Sequence, residues 1–164
     1  QLTASLPDSA RPSPLRVHQA AGQDRSAPLA LFTRDFDTSL WVWQRAGGYP
    51  SDPWYLEFHK KHAGGELRYW RITDRRPGLD AKQPYVPEAA FGMASAHAAQ
   101  FAGLLHERLR SHWQQTGEGG IVVAAFDTEL FGHWWFEGAQ WLIELIRQLG
   151  IHQAGTLTPC AAFL

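Results

Sequence analysis

One stretch, residues 124 to 142 (AAFDTELFGHWWFEGAQWL), gathers the groups that move protons and those that grip a ring. The apolar run 120–125 ends in Phe126-Asp127, and Glu129, His133, Trp134, Trp135, Phe136, Glu137 and Trp141 follow within fifteen residues. An apolar run that stops at a carboxylate reads as a buried strand carrying that carboxylate to a sheet edge, where α/β proteins place their chemistry. Flat aromatic faces around an acid suit a pyranose, whose apolar faces stack on them. Asp127 is therefore the candidate acid, with a plain strand-end or helix-capping acid as its bland alternative. Glu129 is either a neighbour that raises the Asp127 pKa by like-charge repulsion or a helix-start carboxylate in a salt bridge. His133 can bond a sugar hydroxyl or the acid, or serve as a structural donor. Because Trp134 and Trp135 are adjacent, one should face a cleft while the other packs inward; Trp141 belongs to a helix stripe.

Other candidates lie upstream. Arg34-Asp35 ends a short apolar run much as Asp127 does, with a local ion pair as the simpler reading. Trp41, Trp43, Trp54, Tyr55 and Trp70 sit in or beside an aromatic-rich loop region and are candidate ring platforms. His97 falls on an apolar helix stripe and reads as a core histidine. Metal ligands are a weak prospect: His59-Lys60-Lys61-His62 sets two lysines beside any cation, and Asp127-x-Glu129-x3-His133 matches no strong ligand spacing. No cofactor motif is present.

Composition narrows the classes. A chain of 164 residues is one domain's worth, and 45% apolar with 19% charged residues is ordinary for a globular protein. A formal charge of −1 without a basic stripe argues against nucleic acid and anionic membranes as partners. Eight Trp in so small a chain need a large core or a ligand to stack on. The lone Cys160 excludes an internal disulfide and fits a reducing, cytoplasmic setting. No apolar run approaches a membrane span, and no signal peptide is recognised. Oligomeric state is not legible.

The elements that must position these groups follow the usual signals. Residues 1–27, rich in Pro, Ser, Ala and Arg, read as a loop or disordered lead-in. A buried strand is expected over 28–33, an irregular aromatic loop over 36–65, and a strand or hairpin over 66–73. Pro87-Glu88 opens a helix running to about Trp113, with Met93, His97, Phe101, Leu105 and Leu109 as its buried stripe. A strand over 120–126, a helix from Glu137 to Leu149 stopped by Gly150, and a short strand within 151–157 complete the series. Such alternation predicts a mainly parallel α/β sheet.

Asp127-Thr128-Glu129-Leu130-Phe131-Gly132-His133-Trp134-Trp135, followed by Glu137-Gly138, resembles a signature segment of glycoside hydrolase family 57, and within it the 1,4-α-glucan branching enzymes. The likeness extends upstream through Arg34-Asp35, Ser39, Val42-Trp43, Gly48-Tyr49-Pro50, Asp52, Tyr55, Glu57-Phe58-His59 and Arg68-Tyr69-Trp70, so that it covers roughly residues 28 to 160, nearly all of the chain. It implies an incomplete TIM-like barrel of seven strands, of which residues 28–164 would be a C-terminal fragment. It further implies that Asp127 is the general acid/base of a retaining reaction on α-glucan (amylose, starch or glycogen-like), in glycogen or α-glucan synthesis. The nucleophilic glutamate would come from an earlier strand; no Glu here stands in a Trp-x-Pro-Glu context, and Glu88 opens a helix. Arg34 and Trp43 are carried over as active-site contacts, and Asp35, Trp70, His133, Trp134 and Trp135 are the remaining candidates for substrate binding. Alone, such a fragment would be inactive. α-Amylase or 4-α-glucanotransferase activity, a non-catalytic glucan-binding protein and a metal-dependent deacetylase remain as alternatives.

Overall fold

Val86-Pro87 begins the longest element of the computed structural model, which describes residues 12–20, 29–44, 46–74, 80–152 and 155–164. Helix α2 (Pro87–Thr116) starts with proline where a missing N–H costs nothing. It ends at Gly117, whose φ of 69° is the left-handed turn that lets its N–H return to the Trp113 carbonyl at 2.8 Å. The other helices are α1 (Phe36–Trp43), α3 (Gly138–His152) and the single turn α4 (Cys160–Phe163), and α2 packs chiefly on α3. Strands β1 (His18–Ala20) and β2 (Leu29–Leu31) pair antiparallel, His18 opposite Leu31.

The core lies where α3 packs on α2, and its shape corrects the expected stripe. Ala90, Ala94, Ala98 and Ala102 are the fully buried row of α2, together with Phe101. Met93 and Leu105 pack only partly, one position to the side. Alanines at a spacing of four let large rings approach the helix backbone. Tyr49, Tyr55, Trp135 and Trp141 fill that space.

Several expected elements take a different form. The 36–65 region is not wholly irregular, because it holds α1 and a 3₁₀ turn at Tyr49–Ser51. The strand expected over 28–33 shrinks to Leu29–Leu31, all exposed rather than buried. Residues 66–73 form only the isolated bridges Leu56–Arg71 and Trp70–Pro84. Within the stretch assigned to an irregular lead-in, His18–Ala20 form β1, while residues 1–11 and 21–27 lie outside the described part. Residues 120–126 are extended without a ladder, tied at the Ile121 N–H to the Leu15 carbonyl (3.0 Å) and at the Val123 carbonyl to the Asp35 N–H (2.9 Å). Nor is there a strand among the described residues of 151–157: α3 runs on through Gly150 to His152, and 155–157 carry no bridge. Among the described residues the expected parallel sheet is therefore absent, since an extended run becomes a strand only with a neighbour to bond.

Candidate active site

Asp127 caps a short 3₁₀ turn, Thr128–Leu130, through its backbone only: its carbonyl accepts the Leu130 N–H at 3.1 Å, and its side chain makes no capping bond. The carboxylate is exposed and has no hydrogen bond or ion pair among the described residues. An acid left out of local bonding is available to a ligand. Its position depends on what fixes the backbone on each side.

Upstream, Trp43 at the end of α1 donates its indole N–H to the Ala125 carbonyl at 3.2 Å and lies 6.2 Å from the Phe126 ring. Downstream, residues 129–138 close on themselves. The Trp135 N–H bonds the Leu130 carbonyl (2.8 Å), the Gly132 N–H bonds the Trp135 carbonyl (2.8 Å), and the Trp134 N–H bonds the Glu129 carbonyl (3.3 Å). Gly132 supplies the positive φ of 88° this reversal needs. At Gly138 a Cβ would come within 3.0 Å of the Phe131 ring and 3.1 Å of Trp135, so a larger residue would press these rings back where α3 begins so close to the turn.

The closure sorts the two adjacent tryptophans. Trp134 is half exposed, donates Nε1–H to Glu129 at 3.2 Å and lies 4.6 Å from Phe58. Trp135 is 1% exposed, between Tyr55 and Trp141, and has no face for a sugar; its expected contact with substrate is corrected. Trp141 is core, as its helix stripe implies. His133 is exposed with its ring 5.5 Å from Phe58. Arg68 stacks on Phe58 at 4.2 Å and donates to the His133 carbonyl at 3.4 Å. Phe58 and Arg68 thus join Glu129, His133 and Trp134, of the segment that Asp127 opens, in one aromatic and polar wall.

The upstream candidates divide. Asp35 is fully buried and caps α1, accepting from Thr38 Oγ1 at 2.9 Å and from the Thr38 N–H at 3.4 Å. Arg108 of α2 grips both its oxygens, at 2.8 and 3.3 Å. Both oxygens are buried and hydrogen-bonded within the protein, so Asp35 is corrected from a substrate contact to a structural pin, its partner being Arg108 and not Arg34. Arg34 itself is exposed, 5.9 Å from the Phe36 ring. Trp70 is half-buried under Lys60, whose Nζ sits 4.5 Å over the ring. Trp54 is similarly covered by Arg71 at 4.1 Å.

A buried polar group that sequence reasoning left without a role lies behind this wall. Glu137 is 0% exposed; its Oε1 accepts the Leu56 N–H at 3.0 Å, and burial pushes its carboxyl above the ordinary carboxylate range. Glu57 and Lys82 form a buried pair at 2.9 Å. There the His59 N–H and the Lys82 ammonium outweigh burial and hold the Glu57 carboxyl below its ordinary range. His97 bonds the Tyr55 hydroxyl through Nδ1 at 2.8 Å and faces Asp52 at 3.7 Å. Burial lowers its pKa despite that neighbouring acid, which fits a core histidine. No group of three or more His, Cys, Asp and Glu is placed to hold a metal ion among the described residues. Nor is any helix there long and apolar enough to cross a membrane.

Two clefts open elsewhere among the described residues. One, of about 520 Å³, is apolar and lined by Phe101, Leu105, Ile121, Val122, Ala124 and Trp141, with no carboxylate. The other, of about 670 Å³, holds Trp41, Tyr49, Asp52, His97 and Gln100. Neither includes Asp127, whose carboxylate stands on an open surface.

No family model matches the chain. It is 45% identical over 135 residues to the 1,4-α-glucan branching enzyme of Thermococcus kodakarensis, a match covering 82% of this chain and 20% of that protein. In solved structures it is similar to the GH57-type branching enzyme of Pyrococcus horikoshii, with a TM-score of 0.83 and 42% identity over 92% of this chain and 27% of that one. It is also similar to the α-amylase AmyC of Thermotoga maritima, with a TM-score of 0.80 and 26% identity over 91% of this chain and 32% of that one. The chain spans about a fifth of the curated relative's length. Over nearly its whole length, then, the chain is homologous to a segment of the glycoside hydrolase family 57 branching enzymes.

Proposed function

We propose that this chain is the acid/base-bearing, C-terminal part of the catalytic barrel of a retaining 1,4-α-glucan branching enzyme. The observation that carries the reading is Asp127: an exposed, uncapped carboxylate within a segment homologous to such enzymes and followed by an aromatic wall. Asp127 protonates the glycosidic oxygen as an α-1,4 bond breaks, and a carboxylate supplied by a segment outside this chain takes the sugar as a covalent glycosyl intermediate. Asp127 then removes the proton from the 6-hydroxyl of an acceptor glucan, whose oxygen displaces the enzyme carboxylate and completes the α-1,6 branch. Retention by this route sets the two carboxyl groups about 5–5.5 Å apart.

Trp134 offers the exposed ring of the wall, His133 its hydrogen-bonding partner, and Trp43 a second open face beside Ala125. Arg34 and Trp70 are outer contacts. Strands outside this chain would pair with residues 120–126 and cover the apolar cleft, completing a seven-stranded, TIM-like barrel. A cytoplasmic place in glycogen or α-glucan synthesis follows from the reading. The α-amylase alternative uses the same acid with water as acceptor; the likeness to AmyC supports it at lower identity.

The test is amylose treated with the full-length enzyme, followed by debranching of the product. New α-1,6 linkages support the reading. Shortened chains without branches would replace it with hydrolysis, and no turnover at all would favour a glucan-binding protein.

A further inference from the structure

We propose that Glu137 is a positioning residue, holding the loop that carries Phe58 against Trp134 and so fixing the aromatic wall beside Asp127. The inference deepens the reading above and rests on it, since the wall matters only if glucan lies there. Nothing in the proposed chemistry uses Glu137, yet it is a fully buried acid at the junction between that wall and α3. Placing a carboxyl group in a core costs stability unless its bonds serve something.

Those bonds point one way. Oε1 takes the N–H of Leu56, 81 positions earlier in the chain. Leu56 has little freedom: Tyr55 before it is packed 5.6 Å from Trp135, and Glu57 after it is locked to Lys82. Two residues on, Phe58 lies 4.6 Å from Trp134, and the other edge of Trp134 is held by Glu129. A continuous run of contacts therefore leads from Glu137 through Leu56, Phe58 and Trp134 to Glu129, two residues from Asp127.

The remaining atoms are consistent. Glu137 Oε2 and the Tyr85 hydroxyl are both buried without another bonding partner. The two groups are neighbours, although their geometry is not that of a regular hydrogen bond. Burial raises the Glu137 carboxyl above its ordinary range. A glutamine of the same length keeps the acceptor for the Leu56 N–H without a charge to bury.

The experiment uses the full-length enzyme, with the wild type and Asp127→Asn as references for branching. Glu137→Gln should keep the KM for amylose within about twofold. Glu137→Met, similar in length but unable to accept from Leu56, should raise KM by roughly tenfold, the scale of one lost hydrogen bond, with kcat changed far less. Phe58→Ala cuts the same route one link further on and stands in if Glu137→Met does not fold. It should raise KM similarly, and the double variant should add little to either. Binding of maltoheptaose by calorimetry gives the same comparison without turnover. It separates failure of this inference from failure of the branching reading, which would show as a wild type that binds glucan and makes no branches. A lower melting temperature with unchanged KM and binding in Glu137→Met and Phe58→Ala would overturn the inference. So would a Glu137→Gln enzyme as inactive as Asp127→Asn, which would make Glu137 a catalytic acid.

Discussion

The indole N–H of Trp43 donates to the carbonyl of Ala125 at 3.2 Å, joining the last residue of α1 to a residue two before Asp127. Trp43 is still 38% exposed, so one ring both braces the acid's approach segment and keeps an open face. Trp43→Phe retains a face and loses the brace; Trp43→Ala loses both. If the face stacks on glucose, Trp43→Ala removes about 1–3 kcal/mol of binding, by analogy with base stacking. A loosely held acceptor lets water compete, so the ratio of hydrolysis to branching should rise in Trp43→Ala and rise less in Trp43→Phe. An unchanged ratio with lower thermal stability would restrict Trp43 to bracing.

Asp127→Asn should abolish glucan transfer by the full-length enzyme while its melting temperature stays within a few degrees. The amide cannot exchange a proton with the glycosidic oxygen, and the wild-type carboxylate has no partner to lose among the described residues. Substantial remaining branching on amylose would remove Asp127 from the acid/base role.

Lys82 should matter to stability, although it touches no candidate substrate group. Its side chain is 4% exposed, its ammonium lies 2.9 Å from Glu57, and it also donates to the carbonyls of Ile72 (2.6 Å) and Asp74 (3.0 Å). Lys82→Met leaves the Glu57 carboxylate buried without its cation, a change that costs about 3–5 kcal/mol. Urea denaturation reads it directly. The Lys82→Met, Glu57→Leu double variant, with no charge left behind, should recover much of the loss.

The buried acid predicts a pH signature. Burial raises the Glu137 carboxyl above its ordinary 4.5 in the folded protein. The neutral form is thus favoured by folding, and this contribution is complete below the unfolded pKa and lost as pH climbs through the folded value. Glu137→Gln does not titrate, so its stability relative to wild type should increase as pH rises above about 4.5 and then level off. His97, lowered from 6.5 by burial, contributes the opposite slope, but it is common to both proteins and cancels. A relative stability that is flat with pH would show Glu137 titrating normally.

The long helices were legible because their signals are local. Pro87 and Gly117 bracket α2, and Gly138 starts α3 with a clear apolar period behind it. Helix α1 was missed because Trp41, Val42 and Trp43 mask any stripe, although Asp35 three residues before Thr38 is a capping signal that could have found it. The runs over 120–126 and 151–157 carry strand-like residues, but a strand is a relation to a neighbour and cannot be read from one run. Within the site, Asp127 and its aromatic company were legible as a motif. Which of Trp134 and Trp135 faces outward was not, because it depends on the reversal at Gly132. Asp35 was misread because its partner, Arg108, lies 73 positions away. Phe58, Arg68 and Glu137 meet the site only through tertiary contacts.

The alanine row of α2 bears on how a glucan would be received. With Ala90, Ala94, Ala98 and Ala102 buried, the separation between helix and ring cluster is fixed by backbone and by rigid aromatic planes, not by long side chains with many rotamers. Tyr49, Trp135 and Trp141 then have little room to rearrange, and the turn that carries Trp134 inherits their stillness. If glucan binds there as proposed, a sugar would meet a surface with little freedom to rearrange, and little ordering entropy would be charged against its affinity. Enlarging Ala94 or Ala98 would unsettle that preorganisation from behind, at a distance from any atom the glucan touches.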